Sequence, residues 1–171
     1  MNEDVSDDAF VVAPLAAEHD RNSFACGVAA LDRYLKTQAT QDGRRYVANT
    51  FVISPAGSRT IAGFYTLAAA AILSDGLPPE MRARLPRYER LPAALVGRLA
   101  VDTRFRSRGL GRALVFDALE RAMRSDPAVF ALLVEAKDEA AAEFYRRNEF
   151  RPLVDEPLRL FLPLATVAKL P

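Results

Sequence analysis

Between Arg106 and Arg112 the chain reads Arg-Ser-Arg-Gly-Leu-Gly-Arg, two glycines set among three arginines. From Gly109 onward, apolar residues recur at Leu110, Leu114, Ala118 and Ala122, with a second row at Val115, Leu119 and Met123. That i, i+4 stripe predicts a helix that opens at Gly109. A helix start leaves backbone N–H groups unpaired and carries partial positive charge. Glycine there lets a phosphate approach the backbone closely. Arg106, Arg108 and Arg112 add planar, fork-shaped cations around the same point. Leu95 to Val101, just upstream, has strand character, and Asp102 to Arg108 reads as the loop between. Strand, glycine loop and helix together describe a site for a pyrophosphate or similar anion. The same residues also fit a glycine-containing helix start with solvated arginines, and the pattern alone does not separate the two.

Other chemistries are excluded by residue type. A Walker A loop requires Gly-Lys-Ser/Thr, whereas Gly111 is followed by Arg112-Ala113. A dinucleotide fingerprint requires a third glycine where this chain has Leu114. Cys26 is the only cysteine and His19 the only histidine. No disulfide framework or cysteine-rich zinc site can be built from them, and Ser-His-Asp catalysis, Cys-His catalysis and a metal are not expected. The formal net charge of +1 gives no global field. The distribution is uneven, however. Of 23 basic residues 20 are arginines, and nine lie between Arg82 and Arg112 against only Glu89 and Asp102. Such a run is either a phosphate-binding surface or a solubilising one. No basic-then-apolar leader opens the sequence, and no apolar run reaches the roughly 18 residues of a membrane helix. A soluble, cytoplasmic protein with no membrane partner is expected.

The elements that must position the glycine loop follow from periodicity. In this 171-residue chain, residues 1–9 read as a flexible acidic N-terminus and 10–171 as a single domain. Phe10 to Ala13 reads as a strand. Asn22 or Ser23 caps a helix carrying Val28, Leu31 and Leu35 through Gln41, ended by Gly43. Val47 to Ile53 and Thr60 to Leu73 form a hairpin across the turn Pro55–Ser58. Ser74 to Pro92 is interrupted by Pro78, Pro79, Pro86 and Pro92, with a short helix from Pro79 to Leu85. After the glycine loop and its helix, stopped at Asp126-Pro127, come a buried strand Val129–Val134, a helix Asp138–Arg147 capped by Asp138, and a strand Leu158–Leu162. The order β-α-β-β-loop-β-α-β-α-β predicts an α/β (α+β) fold, one central mixed, twisted sheet with helices on both faces.

With these elements in place, Arg106-Ser107-Arg108-Gly109-Leu110-Gly111 resembles the acyl-CoA loop of the GNAT superfamily of N-acyltransferases. About 35 residues on, Phe144-Tyr145-Arg-Arg-Asn-Glu149-Phe150 resembles that superfamily's Phe-Tyr-x-x-x-Gly-Phe segment, with Glu149 where glycine is usual. Phe24-Ala-Cys-Gly27, Leu31-Asp-Arg-Tyr34-Leu35, Gln41-Asp42, Gly63-Phe-Tyr65-Thr66-Leu67, Leu85-Pro-Arg-Tyr88, Leu91-Pro92-Ala93 and Gly97-Arg98-Leu99-Ala100-Val101-Asp102 narrow the likeness. They resemble the acetyltransferase toxins of toxin–antitoxin systems, which acetylate aminoacyl-tRNA. The similarity runs from about Phe24 to Leu162, most of the chain.

The resemblance implies a GNAT-like fold, acetyl-CoA as co-substrate, and translation inhibition by acetylation of the α-amine of aminoacyl-tRNA. It implies that the backbone of Leu99, Ala100 and Val101 pairs with the pantetheine. It also implies that the amides of Arg108 to Arg112 hold the pyrophosphate. The sheet is expected to part near Leu132–Val134, where an N–H polarises the thioester carbonyl. Tyr145 becomes the general acid for the leaving thiolate; without the motif it reads as a packed aromatic. An acceptor α-amine, with a pKa of about 7.7–8.0, needs no histidine base, whereas a lysine near about 10.4 asks for more help. Arg82, Arg84, Arg87 and Arg90, with Arg44 and Arg45, are the candidate tRNA contacts. A ribbon-helix-helix antitoxin and a homodimer are the implied partners. Two other readings stay open: a GNAT enzyme acting on a small amine or a protein N-terminus, and a non-catalytic GNAT-fold binding module.

Overall fold

The computed structural model describes residues 9–169, so the acidic stretch expected to be flexible lies, apart from Ala9, outside the described residues. Seven strands form one sheet in the order β1-β2-β3-β4-β5-β7-β6. They are β1 (Phe10–Pro14), β2 (Asn49–Pro55), β3 (Gly63–Leu73), β4 (Arg90–Val101), β5 (Ala131–Glu135), β6 (Arg151–Leu153) and β7 (Glu156–Pro163). The helices are α1 (Ala29–Thr37), α2 (Ala39–Arg44), α3 (Pro79–Arg82), α4 (Leu110–Met123), α5 (Glu139–Arg147) and α6 (Leu164–Ala168). The sheet is mixed, as expected. β1–β2, β5–β7 and β6–β7 are antiparallel, while β4 and β5 run parallel, from Ala93↔Ala131 to Val96↔Val134. A parallel pair needs a long crossover, which α4 supplies. β5 is laddered on both edges, and its residues 131–134 are fully buried. This explains its unbroken apolar sequence.

The chain divides into two compact units. One comprises residues up to 66 plus 98–115; the other comprises 67–97 plus 116–171. The first is centred on Phe24, Cys26, Tyr34, Leu35, Val52, Ile61, Phe64 and Ala100. Phe64 meets Phe24 edge-on and stacks on Tyr34, with ring centroids 5.4 and 6.5 Å apart. The second is centred on Ile72, Leu77, Leu91, Leu133, Leu153 and Phe161. Helix α4 buries Leu110, Leu114, Val115, Ala118, Leu119 and Ala122, the stripe read from sequence. Met123, the last member of its second row, is exposed instead.

Several boundaries differ from the sequence expectation, each for a physical reason. Asn22 and Ser23 cap no helix. The Ser23 hydroxyl and amide bond to the Asp20 carboxylate, and α1 begins only at Ala29. Residues 24–27 stay out of the helix because their backbone groups are taken elsewhere: the Ala25 amide donates to Asp102 and the Cys26 amide to Asp32. One predicted helix becomes two, broken at Gln38, where φ is −124°. Strand β4 starts at Arg90, five residues early, running through Pro92. A 3-10 turn, Thr103–Phe105, fills part of the expected loop. Strand β6 and helix α6 were not expected. Glu149 adopts φ 73°, the left-handed conformation glycine would take.

Candidate functional site

The glycine loop follows β4 and the carboxylate of Asp102, which ends the segment Gly97–Asp102. Asp102 is fully buried. Its Oδ1 accepts from the Arg104 amide and Nε at 2.8 and 3.0 Å. Its Oδ2 accepts from the Ala25 amide and Arg104 Nη2 at 3.0 and 3.1 Å. Burial pushes its carboxyl upward, but the Arg104 guanidinium and the two amides prevail and hold it below the usual carboxylate range. Thr103 and Arg106 complete the fastening: the Thr103 amide donates to the Ala25 carbonyl and Arg106 Nη2 to the Cys26 carbonyl, both at 2.9 Å. Gly27, at φ 88°, leaves the room that Arg106 uses, since a Cβ there would stand 3.1 Å from its Nη2. The Arg106 side chain therefore ties the loop to the 24–27 segment, and Arg108, exposed above the Phe105 ring at 5.4 Å, is left facing outward.

The backbone then turns sharply. Ser107 and Gly109 hold φ values of 63° and 74°, the region that L side chains rarely adopt. The Gly109 carbonyl accepts the first bond of α4, from the Ala113 amide at 3.1 Å. The amides of Leu110 and Gly111 thus belong to the helix end that carries partial positive charge. A Cβ built on Gly109 would meet no heavy atom within 4 Å. Glycine is required here by the backbone angle, and the space where its Cβ would stand is open. A left-handed turn into a 14-residue helix, with arginine beside it, has the donor set and the room for a diphosphate.

Gly63 sets the helix start against the sheet. A Cβ at Gly63 would lie 2.9 Å from the Ala100 carbonyl oxygen, 3.1 Å from Leu114 Cδ1 and 3.2 Å from Ile53 Cγ2. No side chain fits between these three. Leu99 and Val101 are half-buried on either side of Ala100. They lie on β4 beyond Val96, the last residue paired with β5 in the register above. The ladder ends at Val96↔Val134, the last residue of the Leu132–Val134 stretch near which the strands were expected to part.

Tyr34, Asp42 and Arg98, from three separate segments of the chain, meet in one cluster. The Arg98 guanidinium stacks 3.7 Å above the Tyr34 ring, and the Tyr34 hydroxyl donates to buried Asp42 at 2.8 Å. Burial, helped by the Asp42 carboxylate, raises the Tyr34 phenol to about 12. His19 is no base here, because its Nδ1 accepts the Ala16 amide at 2.9 Å.

In the other unit, Tyr145 is 5% exposed. Its ring lies edge-on to Phe144 and Phe150 at 5.1 and 5.5 Å. Burial raises its phenol to about 12. Asp138 caps α5 through the Ala141 amide at 2.8 Å, so the element carrying Tyr145 begins where the sequence indicated. Arg82, Arg84, Arg87 and Arg90 are all exposed. The bend that carries them borders a cavity of about 780 Å³ lined in part by Leu77, Arg82, Leu85, Arg87 and Tyr88. Arg44 and Arg45 are exposed at the end of α2, in the first unit. Among the described residues no group of three or more His, Cys, Asp or Glu could hold a metal ion. Among the described residues no helix is long and apolar enough to cross a membrane.

Comparison with known proteins assigns the class. Residues 16–152 match the acetyltransferase (GNAT) domain; the chain belongs to this family and is an acetyltransferase. A relative from Mycobacterium tuberculosis, a tRNA-acetylating toxin, is 32% identical over 145 residues, covering 84% of this chain and 85% of its own. A probable toxin, TacT, from Sinorhizobium fredii is 29% identical over 170 residues, 94% of each chain. Among solved structures, AtaT complexed with acetyl-methionyl-tRNAfMet superposes with a TM-score of 0.85 at 27% identity, covering 94% of this chain and 98% of that one. AtaTR bound with acetyl-CoA superposes with a TM-score of 0.78 at 27% identity, covering 94% and 97%.

Proposed function

We propose that this chain transfers the acetyl group of acetyl-CoA to the α-amine of aminoacyl-tRNA and so blocks translation, as the toxin of a toxin–antitoxin pair. The observation that carries the cofactor half is the left-handed turn into α4 at Gly109, with no heavy atom within 4 Å of where a Gly109 Cβ would stand. Likeness to the tRNA-acetylating relative and to AtaT with its acetylated tRNA supports the acceptor.

Acetyl-CoA supplies a thioester whose C–S bond breaks as the amine nitrogen forms the new C–N bond. The backbone of Leu99 and Val101 binds the pantetheine amides, as an added strand would be bound. The Leu110 and Gly111 amides, with Arg108 and Arg112, hold the diphosphate. Arg106 keeps that loop in place through Cys26. Tyr145, protonated across the physiological range at a value of about 12, gives a proton to the leaving sulfur and regains one from solvent. The α-amine arrives partly neutral, at a pKa of about 7.7–8.0, and gives up its own proton to water. The arginines at 82, 84, 87 and 90 hold RNA phosphates. The enzyme works in the cytoplasm as a homodimer, restrained by a ribbon-helix-helix antitoxin.

The test is direct. With radiolabelled acetyl-CoA and a bulk pool of charged tRNA, label should enter aminoacyl-tRNA and vanish when the pool is first deacylated. Label on free amines or protein N-termini, with charged tRNA untouched, would assign the acceptor differently.

A further inference from the structure

The five tyrosines of this chain divide sharply. Tyr34, Tyr65 and Tyr145 are 5%, 0% and 5% exposed, whereas Tyr46 is 96% and Tyr88 62% exposed. Both exposed rings stand beside arginines: Arg44-Arg45-Tyr46 in one unit, Arg87-Tyr88-Glu89-Arg90 in the other. Among the described residues these four arginines enter no ion pair, whereas Arg104, Arg121, Arg146, Arg147, Arg151 and Arg159 do.

Tyr46 is also held out by its backbone. It ends α2 at φ 57°. Its amide donates to the Gly43 carbonyl at 3.2 Å and the next amide, of Val47, to the Asp42 carbonyl at 2.9 Å. Glycine is the usual residue at such a left-handed helix end. A tyrosine there strains the backbone and buries nothing, so packing gives it no reason to be aromatic.

We infer that Tyr46 and Tyr88 are stacking platforms for unpaired RNA bases, with the adjacent arginines on the neighbouring phosphates. This rests on the aminoacyl-tRNA reading and deepens it by naming how single-stranded nucleotides are held. Two largely exposed rings and four cations outside any ion pair among the described residues match a polyanion with flat faces. A protein partner would need carboxylates to meet those arginines and is the competing occupant.

Wild type, Tyr46→Ala, Tyr46→Phe, Tyr88→Ala and Tyr88→Phe are titrated with three probes. These are deacylated tRNA, a single-stranded oligoadenylate of about 12 nucleotides and a blunt RNA duplex. Each Ala variant should bind the single strand about tenfold more weakly. Each Phe variant should stay near wild type, and duplex affinity should not change. Tyr46→Gly relieves the backbone, so it should melt no lower than wild type while losing the same affinity. Ala variants that bind the single strand like wild type overturn the inference, as does an equal loss on the duplex. A wild type that binds none of the three overturns the aminoacyl-tRNA reading itself, and that outcome is distinct from the other two.

Discussion

At the scale of single residues, Tyr145 and Asp102 show opposite uses of burial. Tyr145 is buried against two phenylalanines, and desolvation raises its phenol to about 12. It therefore stays a proton donor through the whole working range. Asp102 is buried among donors, which keep it charged. Tyr145→Phe should lower kcat by about 10²-fold or more while the Kd for acetyl-CoA stays within about twofold, because the lost proton matters only as the thiolate leaves. The pH–rate profile should rise with deprotonation of the acceptor amine at about pH 7.7–8.0 and show no falling limb from Tyr145 below about pH 10. Stopped assays across pH 6 to about 10 check both. An unchanged kcat in the Phe variant would remove Tyr145 from the chemistry. The sequence pointed to Tyr145 through its motif. It set Asp102 at the end of the Gly97–Asp102 segment without a role, because the carboxylate's meaning lies in an amide 77 residues away.

At the scale of elements, legibility followed the length of each period. Helix α4 spans 14 residues and repeats its apolar positions almost four times, so its buried face was readable. Helix α5 announced itself by its Asp138 cap. Strand β6 has three residues, one of them Pro152, and α6 has five; neither is long enough to show a period. The break between α1 and α2 has no glycine or proline to mark it, only the angle at Gln38. The glycine loop was visible as a motif, but its fastening by Arg106 to Cys26 was not, since that bond joins residues 80 apart. Two glycines of this region serve different ends, and single substitutions should separate them. Gly63→Ala places a methyl 2.9 Å from a carbonyl oxygen, and the strands must move apart. A loss of about 1–3 kcal/mol in chemical denaturation is expected. Gly109→Asp meets open space, and the folded state should lose only about 1–2 kcal/mol from the left-handed angle. Its carboxylate, however, stands where a diphosphate would bind, and calorimetry should show no acetyl-CoA binding at all. Retained affinity would mean that the diphosphate lies elsewhere.

At the scale of the whole molecule, a formal charge of +1 conceals the feature that matters for a nucleic-acid substrate. Total charge is nearly balanced, so long-range attraction to RNA is weak, and binding must come from arginines that keep their charge uncompensated locally. Arg82, Arg84, Arg87 and Arg90 are all exposed and none is in an ion pair among the described residues, while Arg84 alone of them lowers the pKa of a neighbouring carboxylate, that of Glu80. Each phosphate they neutralise releases counterions, so log K for tRNA should fall with log salt by about 0.7–0.9 per contact. Replacing all four by alanine should flatten that slope by about three to four. Melting temperature should hardly move, since exposed side chains without partners contribute within about 0.5 kcal/mol each. Acetyl-CoA affinity should also hold, because the glycine loop, with Arg106, Arg108 and Arg112, is untouched. Filter-binding titrations of deacylated tRNA between about 50 and 200 mM salt measure the slope. A wild-type slope near zero, or a fourfold variant as steep as wild type, would mean that this arginine run is a solvated surface and that tRNA is held elsewhere.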